Sequence, residues 1–312
     1  MKTSPVTTAD LQRSVISVPP LCHDDDLGLD AAENARLVAH LANGGVTTLM
    51  YGGNANFYNV GVTEYPAILE MLEEIAGEDA WVIPSSGPDF GKLMDQAAIL
   101  KHTNFPTAMV LPLVFPKTSS GVEAGIRAFV EAVGKPAIAY IKGDGYLNPD
   151  QVAGLLDEGI VCAVKYARVL EDPTKDTYLE ELTKVADTGR IISGIGERPV
   201  IAHWRSFGLR AFTSGSVCVA PFASTEILRC LQAGDIATAE KIRAAFLPLE
   251  DLRDDISPLC VLHKAVDLAG IAKTGPLLPM LSDMVGAASK TEELRHVSKA
   301  LLAYNEETRV AV

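Results

Sequence analysis

Strand-like and helix-like segments alternate about eight times in roughly the first 220 residues of this 312-residue chain. After about Ala223 the strand signal stops and only helical patterning remains. No Gly-rich GxGxxG fingerprint follows the first strand, as a doubly wound sheet would usually show. Together these features predict an α/β fold, a (β/α)8 TIM barrel over residues 1–223 with a C-terminal helical extension over 224–312. No Gly/Ser linker separates the parts, so the extension is expected to pack on the barrel.

The elements follow in order. Val15–Val18 is a short apolar strand ahead of Pro19-Pro20. Asp30–Asn43 has helical spacing and stops at Gly44-Gly45. Val46–Tyr51 is the second strand. Tyr65–Ile75 is a helix, because Tyr65, Ile68, Leu69, Leu72 and Ile75 share one face. Trp81–Pro84 is the third strand, followed by the helix Phe90–His102. Thr107–Leu113 is the fourth, followed by the helix Gly121–Val133. Lys135-Pro136 introduces the fifth strand, Ala137–Ile141. Asn148 caps the next helix, Pro149 opens it, and it runs to about Glu158. Ile160–Val164 is the sixth strand, a β-branched run ending in Lys165. A helix around Thr177–Thr188, the strand Arg190–Ser193, the helix Pro199–Phe207 and the strand Arg210–Thr213 complete the barrel. In the extension, Glu226–Ala233, Ile236–Leu249, Leu259–Ala269 and Met280–Leu302 have helical spacing, with breaks at Gly275-Pro276 and Pro279.

With 48% hydrophobic residues the chain can build a large core. Its net charge of −13, spread along the sequence, argues against nucleic acid as a partner. Five scattered cysteines without CxxC or zinc spacing predict free thiols in a reducing, cytoplasmic setting. Met1–Asp10 is polar and lacks the apolar core of a signal peptide. No apolar run approaches the roughly 20 residues needed to span a bilayer, so no membrane association is expected.

In such a barrel the chemistry sits at the C-terminal ends of the strands. Lys165 is the leading candidate there. A Lys ending a buried strand has its amine near the core, where burial disfavours the ammonium form and leaves a nucleophile suited to imine chemistry on a carbonyl. The alternative is a Lys that emerges into solvent. Tyr140 ends the neighbouring fifth strand, and its phenol can relay the protons that imine formation requires; alone, it also reads as a strand-end ring with its OH in water. The Gly52-Gly53-Asn54-Ala55-Asn56 loop offers backbone N–H groups and the Asn54 amide to a carboxylate, or it is simply a tight turn. Glu197-Arg198, after strand seven, is either a substrate clamp or a solvated ion pair, and loop pairs are usually the latter. His23 with Asp24-Asp25-Asp26 has the look of a metal cluster. The acidic run precedes a helix, however, where the dipole alone favours it, and no metal is expected. Lys142 and Asp144 could line the pocket mouth, and Cys162 is read as core.

These residues resemble a known family. Gly44-Gly45-Val46 through Gly52, Pro136 through Tyr140, Val161 through Lys165, Ser193-Gly194, and Arg210 through Ala233-Gly234-Asp235 match, in order, the dihydrodipicolinate synthase / N-acetylneuraminate lyase family of Schiff-base-forming lyases and aldolases. The resemblance covers nearly the whole chain. It implies that Lys165 forms an imine with pyruvate or a related 2-oxo acid and that Tyr140 shuttles protons. It places Gly53 and Asn54 at the carboxylate, with Gly194, Ile195 and Phe212 also in the substrate site. It further implies that no cofactor is needed and that copies assemble as tetramers or dimers.

The departures narrow the reading. Where the family usually has Gly-Thr/Ser-Thr-Gly-Glu, this chain has Gly52-Gly53-Asn54-Ala55-Asn56, so the hydroxyl pair is gone. The family's second Tyr falls at about Val114, and the Arg for the second substrate's carboxylate at about Gly145. The expected activity is therefore a lyase, aldolase or dehydratase of a 2-oxo acid, and not dihydrodipicolinate synthesis itself. The competing reading is a non-catalytic 2-oxo acid-binding protein on the same scaffold. Metal-dependent chemistry at His23 and Asp24 is a third.

Overall fold

A computed structural model describes residues 1–283 and 288–311 of the chain. A short helix, α1 (Thr8–Gln12), precedes the barrel and has no counterpart in the sequence reading. Eight parallel strands then alternate with eight helices: β1 (Ile16–Ser17), α2 (Ala31–Asn43), β2 (Thr48–Met50), α3 (Tyr65–Ile75), β3 (Trp81–Ile83, resuming after Pro84 as Ser85–Ser86), α4 (Phe90–Leu100), β4 (Ala108–Val110), α5 (Ser119–Val133), β5 (Ala137–Ile141), α6 (Pro149–Asp157), β6 (Val161–Tyr166), α7 (Thr177–Val185), β7 (Ile191–Ser193), α8 (Val200–Phe207), β8 (Ala211–Ser214) and α9 (Pro221–Ala233). The helices α10 (Ile236–Ala244), α11 (Leu247–Asp255), α12 (Pro258–Leu268) and α13 (Ala288–Ala311) follow. The first part of β3 pairs with β2 and the second with β4, so the sheet closes through the Pro84 interruption, where the missing N–H breaks the ladder.

The predicted barrel with a helical extension is the observed fold, and its differences from the sequence reading have local causes. The junction at residue 223 falls inside α9. That helix follows β8 and packs on α2, closing the helix ring, so the extension begins after Ala233. The predicted helix Ile236–Leu249 is two helices, because Pro248 opens a new one and cannot continue the old. The helix expected over Met280–Leu302 runs instead from Ala288 to Ala311. Met280 has φ +79°, outside the helical region, and residues 284–287 of the expected span lie outside the described residues. Asn148 caps α6 as expected, its side chain accepting from the Gln151 N–H.

One irregularity decides the site. The β5–β6 ladder pairs Ala137 with Val161 but Ile138 with Ala163, so Cys162 is an extra residue. Cys162 is half-buried rather than core. Because side chains alternate along a strand, this bulge brings Tyr140 opposite Lys165 instead of Val164. Arg190 holds the bulge from outside the sheet: its Nε donates to Cys162 O (3.0 Å), Nη2 to Val161 O (2.7 Å) and Nη1 to Leu156 O (2.9 Å).

Candidate active site

Lys165 and Tyr140 occupy paired positions of β6 and β5 and point into the barrel mouth. Both strands continue one residue further, to Tyr166 and Ile141. Tyr166 faces the opposite way, stacking on Tyr178 and donating to Asp176. Lys165 is 4% exposed and Tyr140 8%, which excludes the solvent-emergent reading of both. Lys165 Nζ lies 4.4 Å from the centroid of the Tyr140 ring. Burial, with a smaller contribution from the Lys142 ammonium, lowers the Lys165 pKa to about 7. Burial raises the Tyr140 phenol to about 12. At neutral pH the amine is therefore substantially free base, and the phenol is a proton donor.

Glycines create the room. At Gly194 an added Cβ would lie 2.7 Å from Tyr166 O and 3.0 Å from Lys165 Cγ, so only glycine lets the Lys165 side chain stand there. Gly52 plays a similar part at the other wall, where a Cβ would meet Met109 Cε at 2.6 Å and Ser85 Oγ at 3.0 Å. The loop beyond it is a turn, with Asn56 N–H donating to Gly53 O (2.9 Å) and Asn56 in the left-handed region at φ +55°. Asn54 Nδ2 donates to Val18 O (3.0 Å), so one of its two amide hydrogens ties the loop to the end of β1.

Glu197 and Arg198 are not a pair. Glu197 is fully buried and accepts from Ser214 Oγ (2.8 Å) and Ser224 Oγ (2.6 Å). Arg198 instead reaches Asp251 and Asp254 of α11. The Glu197 N–H donates to Glu250 Oε1 (2.9 Å), and Arg253 Nη1 meets the same oxygen at 3.1 Å. Burial pushes both the Glu197 and Glu250 carboxyls up. His23 and Asp24 belong to a turn: Asp24 Oδ1 accepts from the N–H groups of Asp26 and Gly28, at 2.9 and 2.7 Å. Asp144 pairs with Arg168 (2.9 Å).

A cavity of about 120 Å³ gathers Gly53, Asn54, Tyr140, Lys142, Lys165, Gly194 and Ile195. Phe212 is not on its wall. Its fully buried ring packs in the core, and Thr213, next along β8, faces the cavity, as strand alternation requires. The sequence reading also passed over Tyr58 and Arg253, both on the wall. Tyr58 follows the glycine loop by a few residues and was legible as a hydroxyl near a strand end. Its phenol is raised by burial and by the nearby Tyr140 and Tyr146. Nothing local to Arg253 pointed to the site, since it arrives from α11. A more apolar cavity of about 230 Å³, between Phe90, Leu93, Pro116 and Ile126, does not include Lys165.

Residues 12–300 match the model of the dihydrodipicolinate synthetase family. The chain belongs to that family. Among dihydrodipicolinate synthetase relatives, a probable 5-dehydro-4-deoxyglucarate dehydratase of Rhizobium rhizogenes is 25% identical over 278 residues, covering 86% of this chain and 90% of its own. A 4-hydroxy-tetrahydrodipicolinate synthase of Corynebacterium aurimucosum is 25% identical, covering 88% of this chain and 89% of its own. The crystal structure of dihydrodipicolinate synthase from Bacillus clausii superposes with a TM-score of 0.83 at 19% identity, covering 94% of this chain and 99% of that one. That of a Ruminococcus gnavus sialic acid aldolase gives 0.81 at 14%, covering 95% and 99%. At these identities the two structures are alike in fold. Dihydrodipicolinate synthetase family relatives are lyases and dehydratases, which supports an aldolase- or dehydratase-type enzyme.

Proposed function

We propose that this protein is a Schiff-base-forming lyase or dehydratase of a 2-oxo acid, with Lys165 as nucleophile and Tyr140 as proton donor. The observation that carries this reading is a buried amine brought near neutrality beside a protonated phenol, on paired positions of adjacent strands. Lys165 Nζ adds to the keto carbon, C2. The carbinolamine hydroxyl leaves as water, taking a proton from Tyr140, and an iminium remains. The iminium draws electrons from C3. In a dehydratase, C3 gives up a proton to the Tyr140 phenolate, and the C4 hydroxyl departs as water with the proton that Tyr140 returns. In an aldolase, the C3–C4 bond breaks, the C4 hydroxyl loses its proton, and an aldehyde leaves an enamine that is then protonated at C3. Water at C2 finally returns the free Lys165 and the product ketone. The Gly53 backbone and the free Asn54 amide hydrogen would hold the 2-oxo acid's carboxylate. The relatives named as 5-dehydro-4-deoxyglucarate dehydratases favour the dehydratase branch.

Borohydride reduction in the presence of pyruvate and other 2-oxo acids tests this reading, with the expected mass increase localised to Lys165. Absence of an adduct across the series would sink it. An adduct without turnover of any 2-oxo sugar acid would instead favour the non-catalytic binding reading. The exposed side chains of Val114 and Phe115 (84% and 83%) support self-association, and light scattering in solution would report a dimer or tetramer.

A further inference from the structure

The bulge at Cys162 lies toward the N-terminal end of β6, three positions before Lys165. Neither Cys162 nor Arg190 lines the cavity. An extra residue leaves its peptide group outside the ladder, and a carbonyl so placed needs a donor from elsewhere. Arg190 is that donor. It ends the single turn Thr188–Arg190 that leads into β7, and its guanidinium is half-buried. It bonds the carbonyls of Cys162 (3.0 Å), Val161 (2.7 Å) and Leu156 (2.9 Å). Leu156 O belongs to the last turn of α6, where the helix dipole favours a cation. Thr107 steadies the other edge. Its Oγ1 donates to Pro136 O (2.7 Å) and lies 3.6 Å from Cys162 Sγ.

Two ladders compete for β6. In a regular ladder Cys162 pairs with Ile138 and Val164 stands opposite Tyr140, which turns Lys165 away from the phenol. In the bulged ladder Lys165 stands opposite Tyr140. The regular ladder gains main-chain bonds at Cys162. The bulged one gains the charge-assisted bonds from Arg190 to the freed carbonyls. Arg190 also leads directly into Ile191, and that strand pairs Val164, Lys165 and Tyr166 with Ile191, Ile192 and Ser193. One short segment therefore holds the bulge by a side chain and the Lys165 end by its backbone.

We propose that Arg190 is a positioning residue for the chemistry at Lys165: without touching substrate, it locks the bulged register that presents the amine to Tyr140. This rests on the imine reading only in naming Lys165 the nucleophile; the register does not depend on it.

Acetylation of Lys165 by acetic anhydride, followed against pH by peptide mass spectrometry, tests the register without any 2-oxo acid. Borohydride trapping with pyruvate runs in parallel. Wild type is expected to show a midpoint near 7. R190M keeps the apolar stem and removes the donors. The loosened pairing admits water beside the amine, so the midpoint should rise by about one unit or more and trapping should slow about tenfold or more. R190K should keep part of both, because an ammonium donates to carbonyls but lacks the planar fork. Deleting Cys162 from R190M removes the bulge and leaves Ala137–Val161 and Ile138–Ala163 as successive pairs, so it should restore both readouts. A lower melting temperature in R190M with the wild-type midpoint and trapping rate would make Arg190 merely structural and overturn the proposal. Where R190M folds poorly, a wild-type midpoint in R190K, or no rescue by the deletion, overturns it instead. A low midpoint that depends on Arg190, with no adduct in any chain, would sustain the proposal and remove the imine reading. Adducts that form equally fast with and without Arg190 would do the reverse.

Discussion

Lys165 Nζ stands 4.4 Å above the centroid of the Tyr140 ring, held there by a ladder in which the two residues are direct partners. Burial removes water from the amine, and the ring face offers only a weak electrostatic contact in return. Desolvation therefore dominates, and the amine is poised near neutrality. The same burial keeps the phenol protonated. Burial at these paired positions thus sets two protonation states in the directions that imine formation uses.

The pH dependence follows from the Lys165 value of about 7. The amine is free above that pH and protonated below it. Adduct formation with pyruvate should fall about tenfold for each unit below the midpoint. The K142M variant removes the smaller of the two causes and should move the midpoint upward by a fraction of a unit. A midpoint near the ordinary lysine value would contradict the buried-amine account. Rates from rapid-quench borohydride trapping between pH 5 and 9 provide the check.

Tyr140→Phe keeps the ring under the amine and removes the proton donor. Adduct formation should slow by about a hundredfold or more, with little change in thermal stability. Tyr58→Phe should have a smaller effect in the same assay, because Tyr58 faces the cavity but is not Lys165's ladder partner. Equal rates in Y140F and wild type would leave Tyr140 with no role beyond packing.

Gly194→Ala introduces a Cβ 2.7 Å from a backbone oxygen and 3.0 Å from Lys165 Cγ. The backbone oxygen cannot yield, so the Lys165 side chain must. The expected result is a stability loss of about 1–3 kcal/mol and a drop of about a hundredfold in trapping. Denaturant melts and trapping rates, measured on the same preparation, separate the two.

The buried Glu250 carboxyl is raised to about 8, first by burial and further by Glu197, against the opposing pull of Arg253. Its folded form holds a proton that the unfolded chain releases near the ordinary carboxyl value. The stabilisation from that proton is full below about pH 4.5 and is lost as pH rises to about 8, with a slope of at most about 1.4 kcal/mol per unit. E250Q should flatten this fall. The comparison is cleanest between pH 5 and 7, where Lys165 adds little pH dependence of its own. Parallel melting curves for wild type and E250Q that do not converge or diverge with pH would refute this assignment.

Much of the candidate site was legible because its signals are local. Lys165 follows an apolar β-branched run, Tyr140 lies near the end of its neighbour, and the glycines mark the turns. Lys142 lies on the cavity wall as its place just past Tyr140 suggested. Phe212 was misplaced because a short strand does not reveal which of two adjacent residues faces inward; Thr213 takes that place. Glu197 and Arg198 were read as one unit because they are adjacent, yet their side chains go to different partners.

The sequence by itself determined the alternation of strands and helices, the order of the elements, and the presence of an amine at the end of the sixth strand. Those follow from hydrophobic period, caps and breakers, which act over a few residues. Only the tertiary structure decided that Tyr140 meets Lys165, because that pairing depends on the extra residue Cys162 in the ladder and on Arg190 clasping it. It likewise decided that Arg253, carried by a helix beyond the barrel, reaches the cavity. Register and long-range docking are set by contacts between distant segments, and no local period records them.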